Sequence, residues 1–169
     1  MSIFRHTLLA SGAALAILFC ASAGAGVAPA TNKQYIDECG ACHFAYPPGL
    51  LPARSLNKIL SNLSDHFGDN AELDAGVVKS INAYLATHAA DKVHNRLSQR
   101  FAKYAGNGTP LRISETRYFK RLHHEVSRRL VQDNPKVKSF SRCPVCHTRA
   151  AQGSFSEREV RIPGHGRWD

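Results

Sequence analysis

Cys39-Gly-Ala-Cys42-His43 and Cys143-Pro-Val-Cys146-His147 are two copies of one pattern, Cys-x-x-Cys-His. That pattern is the attachment signature for c-type haem. Two cysteines three apart lie on one face of a helical turn. There they can form thioether bonds to the two vinyl groups of one porphyrin, and the adjacent histidine can turn its ring toward the iron. A chain built on two such sites is expected to be all-α, with mainly short helices and long loops packed around two covalently bound haems c. The iron then carries the chemistry and the protein tunes it.

The rest of the sequence fits that frame. The start reads as an export signal. Arg5 and His6 form a polar head, Leu8 to Phe19 is an uncharged apolar run, and Ala21-Ser22-Ala23 offers small residues for cleavage. The run is too short for a membrane span, and a lipid anchor on Cys20 would follow the bulky Phe19, a poor fit. The expected product is a soluble periplasmic protein cleaved near Ala23. Of five cysteines, Cys20 leaves with the signal and the motifs consume the other four. An oxidising compartment would otherwise pair such thiols. The net charge is +9, one less without Arg5. In an exported protein this suggests an acidic partner or an anionic membrane surface rather than nucleic acid.

Periodicity and breaks divide the chain. Residues 1–23 are the signal, 24–110 a first haem lobe and 111–169 a second, with the boundary at Gly106-Asn-Gly-Thr-Pro110. Gly24 to Thr31 reads as a flexible leader. A helix from Lys33 to His43 ends in the first motif. Tyr46 to Pro52 carries three prolines and a glycine, so it reads as an extended loop laid against the first porphyrin. Leu56, Ile59, Leu60, Leu63 and Phe67 predict an amphipathic helix over 54–67, stopped by Gly68. Asp69-x-x-Glu72 resembles a capping box for a helix running to about Ala90. Further helices are expected over 93–104 and 117–131, the latter capped by Ser114 or Thr116.

The second axial ligand of each iron decides the chemistry. The only methionine is Met1, which leaves with the signal, so a thioether ligand is excluded. Histidine, lysine, a terminal amine or an open iron remain. At about 100° per residue, His123 falls at the centre of a face made by Phe119, Leu122, Val126 and Leu130, and His124 falls beside Lys120, Arg121 and Arg128. His123 is therefore expected to point inward and His124 to water. His66 lies at the edge of its stripe and His88 squarely on its own, so geometry alone leaves those two level. His94 reads as surface, and His165 sits between glycines in the tail.

The chain resembles the dihaem cytochrome c family known as DHC. The resemblance is carried by the run from Tyr35 to Leu51 (YIDECGACHFAYPPGLL), by His66-Phe-Gly-Asp-Asn-Ala-Glu-Leu-Asp74, and by Ile113-Ser-Glu-Thr116 leading into Tyr118-Phe119. The second motif and the Ile162-Pro-Gly closure before Arg167-Trp168 complete it. It implies two haems c attached at Cys39, Cys42, Cys143 and Cys146. Their irons would be held by His43 and His147 on one side and by His66 and His123 on the other. It implies an exported electron carrier rather than an enzyme. The partners implied are redox proteins, namely a small oxygen-binding monohaem cytochrome of the SHP type and a membrane b-type cytochrome.

His66 and His123 could each serve the nearer motif, or the ligation could cross. Arg54, Arg142 and Arg149 lie near the motifs and are candidates for haem propionates. Arg117, Lys120, Arg121, Arg128 and Arg129, with Lys92, Arg96, Arg100 and Lys103, suggest a basic docking face. The rival readings are an enzyme or gas sensor with one open iron, a zinc site using both cysteine pairs, and a thiol oxidoreductase.

Overall fold

The computed structural model describes residues 26–168; the signal segment and Cys20 lie outside them. The described residues form short α-helices joined by 3₁₀ turns and loops, with one two-strand hairpin. Side-chain caps start several helices. Asn32 accepts from the Tyr35 N–H at 2.8 Å and opens α1 (Lys33–Gly40). α2 (Ala53–Leu60) begins directly after Pro52, and α3 (Ala75–His88) packs against it. Asn95 accepts from Leu97 and Ser98 and opens α4 (Arg96–Ala105). Thr116 accepts from the Phe119 N–H and opens α5 (Arg117–Leu122). Two single turns follow, α6 (Arg128–Val131) and α7 (Cys143–Cys146). β1 (Arg161–Ile162) pairs antiparallel with β2 (Gly166–Arg167). Among the described residues no helix is long and apolar enough to cross a membrane.

Helix ends differ most from the sequence reading. The 54–67 helix stops at Leu60. The next turn is 3₁₀ (Leu63–Asp65), and the chain then reverses through His66-Phe67-Gly68-Asp69. Phe67 (φ +61°) and Gly68 (φ +103°) both adopt positive φ, as the centre of a tight I′-like reversal requires. The 117–131 helix breaks after Leu122, with His123 as its C-cap. Asp69 and Glu72 form no capping box, because α3 starts later, at Ala75 after Asp74, and Asn70 takes the Glu72 N–H instead. Pro48–Leu50 forms a 3₁₀ turn inside the proline-rich loop, and that loop is buried rather than laid on a surface.

Two apolar clusters make up the core. Tyr35, Ile81 and Leu85, flanked by Cys39, Leu56 and Leu60, surround the first motif. Val27, Leu50, Ala90, Phe101, Tyr118 and Phe119 form the second. The second cluster draws on chain from both sides of residue 110. Two long-range polar ties, from Tyr46 and Val27, do the same, and a third, from Arg54, holds the 106–108 loop itself. The Tyr46 hydroxyl donates to the Ser141 carbonyl at 2.7 Å. Arg54 donates to the carbonyls of Gly106 and Gly108 at 2.6 and 2.7 Å. The Val27 N–H donates to the Gly153 carbonyl at 2.9 Å. The supposed flexible leader is therefore pinned from Gly26 onward, with Val27 buried.

Gly153 is where that tie is tightest. Its φ is +77°, and a Cβ built there would lie 2.0 Å from the Val27 carbonyl oxygen. Gly153→Ala is expected to cost about 2 kcal/mol or more, through backbone strain and overpacking together. Urea denaturation of the holoprotein should show the loss as a lower midpoint.

Candidate functional site

Each motif histidine faces one other histidine ring. His43 and His66 have ring centroids 6.0 Å apart, with planes at 15°. His123 and His147 have centroids 6.1 Å apart, with planes at 75°. An imidazole nitrogen binds a first-row metal at about 2 Å, and the centroid lies roughly 1 Å behind that nitrogen, so two imidazoles across one metal sit about 6 Å apart. Both pairs match that spacing, and both are local: His66 faces the first motif and His123 the second.

The local backbone explains how the rings get there. His43 follows α1 by a short turn, and its Nδ1 donates to the Phe44 carbonyl at 2.8 Å. His66 is presented by the reversal at 66–69, where its N–H donates to the Asp69 carbonyl at 2.7 Å. The Arg112 guanidinium lies 4.0 Å over the Phe67 ring and braces that reversal from the other half of the chain. His123 caps α5, and its Nδ1 donates to the Phe119 carbonyl at 3.0 Å. A carbonyl only accepts, so Nδ1 of His43 and of His123 carries the proton. Nε2 then keeps the lone pair that a metal needs. His147 is fixed by a backbone bridge to Val160, and its Nδ1 is buried without a protein partner.

Electrostatics favour the neutral, ligating form at His66, His123 and His147. Burial lowers the pKa of His123, partly opposed by its bond to Phe119. Burial, and then the neighbouring His123, push His147 down to about 4. Burial, and then His43 and Arg112, lower His66. Cys39, Cys42, Cys143 and Cys146 are all free of disulfides. Burial raises the thiols of Cys39 and Cys143 to about 11.

The two sites differ in enclosure. The second opens onto a cavity of about 310 Å³. Its wall includes Leu50, Phe119, Phe140, Ile162 and Trp168 together with His123, His147, Cys143 and Cys146. Leu50 therefore serves the second site, although the loop that carries it was expected against the first porphyrin. The first site is more open: His43 and Cys42 are exposed, His66 is half-buried, and Phe67 is 42% exposed. At the second motif an apolar cavity beside two free thiols, with an imidazole on either side, fits a covalently tethered porphyrin, and at the first motif two free thiols and a facing pair of imidazoles fit the same group.

Other sequence candidates lie elsewhere. His88 is exposed; its Nδ1 lies 2.8 Å from the Tyr84 carbonyl and its ring packs on Tyr84. His94, His124 and His165 are exposed as well. Arg54 is committed to the 106–108 loop, and Arg149 pairs with Glu159 at 2.8 Å. Arg142 lines the second cavity and donates to the Val137 carbonyl. Among the described residues no three His, Cys, Asp or Glu side chains gather as a tetrahedral zinc site requires.

Sequence reasoning missed three supporting residues: Tyr46, Arg112 and the stacking role of Phe119. Only the last left a signal, since Phe119 lies one helical turn before His123.

Similarity to known proteins identifies the family. The dihaem cytochrome c family model matches residues 35–155. The solved diheme cytochrome type c of Shewanella baltica OS155 is 47% identical, covering 82% of this chain and 98% of its own, with a TM-score of 0.69. A diheme cytochrome c from Rhodobacter sphaeroides is 41% identical, covering 76% of this chain and all of its own (100%), with a TM-score of 0.67. A DHC purified from Rhodobacter sphaeroides is 39% identical, covering 75% and 99%, with a TM-score of 0.59. No curated protein matches the chain. Two motifs, two facing histidine pairs and a match over most of the sequence place the chain in the dihaem cytochrome c family, whose cofactors are two haems c.

Proposed function

We propose that this chain is an exported electron carrier whose two haem irons are each held between two histidines, His43 with His66 and His147 with His123. The observation that carries this reading is the pair of ring separations, 6.0 and 6.1 Å, each with a motif histidine as one partner. Bound haem supplies a one-electron couple. The protein's part is to close both axial positions and so leave no place for a substrate, which makes the chain a carrier rather than an enzyme. Neutral nitrogen ligands in place of a thioether favour the ferric state, so low potentials are expected for a c-type cytochrome. The apolar run before Ala23 supports export to the periplasm, where cytochromes of this kind work.

The surface supports a charged partner. Arg96, Arg100 and Lys103 of α4 and Arg117, Lys120 and Arg121 of α5 are all exposed. The two helices pack together, and Arg121 donates to the Tyr104 hydroxyl across the seam, so the cations form one continuous face. Such a face speeds encounter with an acidic redox protein. A small monohaem cytochrome of the SHP type as acceptor and a membrane b-type cytochrome as donor fit this role.

Two outcomes are expected. The oxidised holoprotein should show only low-spin haem. His66→Ala or His123→Ala should convert one haem of the two to a high-spin form that binds carbon monoxide when reduced. Carbon monoxide binding by the unmodified protein would instead mean an open iron.

Removal of haem should abolish most of the helix signal in circular dichroism. The longest described helix has 14 residues, at the edge of what water tolerates without packing. Full native ellipticity in haem-free protein would contradict this.

Arg117→Glu combined with Lys120→Glu should slow reduction by an acidic redox protein about tenfold at low ionic strength. Reduction by an uncharged small molecule should be unchanged. Stopped-flow rates against salt concentration make the comparison.

A further inference from the structure

The two histidine pairs differ in the angle between their rings. Across the first site the imidazole planes are nearly parallel, at 15°; across the second they are nearly perpendicular, at 75°. A ring's orientation needs a cause, because rotation about the metal–nitrogen axis is otherwise soft. At the second site the cause is visible. The Phe119 ring stacks on His123 with centroids 3.9 Å apart and planes at 12°. The Phe119 carbonyl takes the His123 Nδ1 proton at 3.0 Å. Phe140 closes edge-on against both rings, at 5.7 Å from Phe119 and 5.8 Å from His123. Phe119 is itself buried in the second cluster and cannot turn freely.

We propose that Phe119 is a positioning residue that holds the His123 plane across that of His147 and so makes the second haem electronically unlike the first. The inference rests on the two-histidine reading. A low-spin ferric ion has one hole among three d orbitals. Each imidazole raises the d orbital that overlaps its π system. Parallel rings raise the same orbital and split the upper pair widely. Crossed rings raise one each, leave the pair nearly degenerate, and keep orbital angular momentum. The first haem should therefore give a rhombic paramagnetic resonance signal and the second a strongly anisotropic one. Crossing also weakens the stabilisation of the hole, and the more enclosed apolar cavity disfavours the charged ferric centre. Both effects make the second haem the easier to reduce.

Electron paramagnetic resonance of the oxidised holoprotein tests this. Two distinct low-spin signals are expected, one rhombic and one with a much larger maximum g value. His66→Ala should remove the rhombic signal alone, which assigns it to the first motif. Phe119→Leu should shift the anisotropic signal toward the rhombic type while leaving the first haem's signal in place. Phe119→Tyr, which keeps the stack, should retain the anisotropic signal. Should Phe119→Leu lose haem, Phe119→Met removes the same stack at similar volume. In a stepwise reductive titration the anisotropic signal should disappear first. Two rhombic signals in the unmodified protein, an anisotropic signal that survives loss of the stack, or loss of the rhombic signal first would each overturn the proposal. High-spin iron in the unmodified protein would instead overturn the two-histidine reading beneath it.

Discussion

A gap of about 6 Å between two imidazole rings is the constraint that the rest of this structure serves. Under the proposed two-histidine ligation neither ring can drift far, or a metal held between them would lose a bond. A flat macrocycle must also pass through the gap, so the segments on either side have to stand clear of each other. The two non-motif histidines meet this demand in the same way: both sit where regular helix has just ended. His66 follows a 3₁₀ turn and enters a tight reversal, and His123 caps α5. A ring at such a position projects beyond the body of its helix. His88 is the counter-example. It sits on the last turn of the longest described helix, and Tyr84, four residues earlier, stacks on it with centroids 4.4 Å apart. His123 has an aromatic neighbour at the same spacing, Phe119 at 3.9 Å, so what separates the two is place: His88 ends in solvent, and His123 turns into the second cavity beside His147.

The same fact explains what could be read from the residues alone. The Cys-x-x-Cys-His pairs, the caps at Asn32 and Thr116, and the inward and outward faces of the 123–124 pair follow from local chemistry. The helix ends at Leu60 and Leu122 do not. Leu63, Phe67, Val126 and Leu130 continue the helical spacing past the true ends, because residues gathered around a porphyrin need be apolar whether or not they are helical. Apolar periodicity counts such residues but does not report where the backbone hydrogen bonds go. Val27 was hidden for a different reason. A short Gly- and Ala-rich segment carries no pattern, and only its bond to Gly153, far along the chain, fixes it. The Arg112 brace on Phe67 joins residues equally remote in sequence.

Those long-range ties matter for electron transfer. The sequence breaks at 106–110, but the structure does not come apart there. Arg54 holds both glycine carbonyls of that loop, Tyr46 reaches Ser141 two residues before Cys143, and Leu50 joins the wall of the second cavity. Tyr46 also lies 5.2 Å from the His43 ring. The surroundings of the first proximal ligand and of the second attachment cysteine are thus connected by one side chain. A carrier gains from such stiffness, since ligands that stay put on reduction lower the cost of reorganising around the iron.

Charge and redox function converge on α5. This helix of six residues turns Tyr118 and Phe119 into the core, ends at His123, and leaves Arg117, Lys120 and Arg121 in water. The acidic partner proposed for those cations would be drawn to the helix that ends at His123. The first site, with His43, Cys42 and Phe67 in contact with solvent, faces outward through a different part of the chain. The first site lies open, and the second is more enclosed and walled by the helix that carries these cations. That asymmetry suits a molecule that takes an electron at one end and delivers it at the other. It arises from where α5 ends: the helix stops at Leu122, and His123 at its C-cap turns into the second cavity while Arg117, Lys120 and Arg121 stay in water.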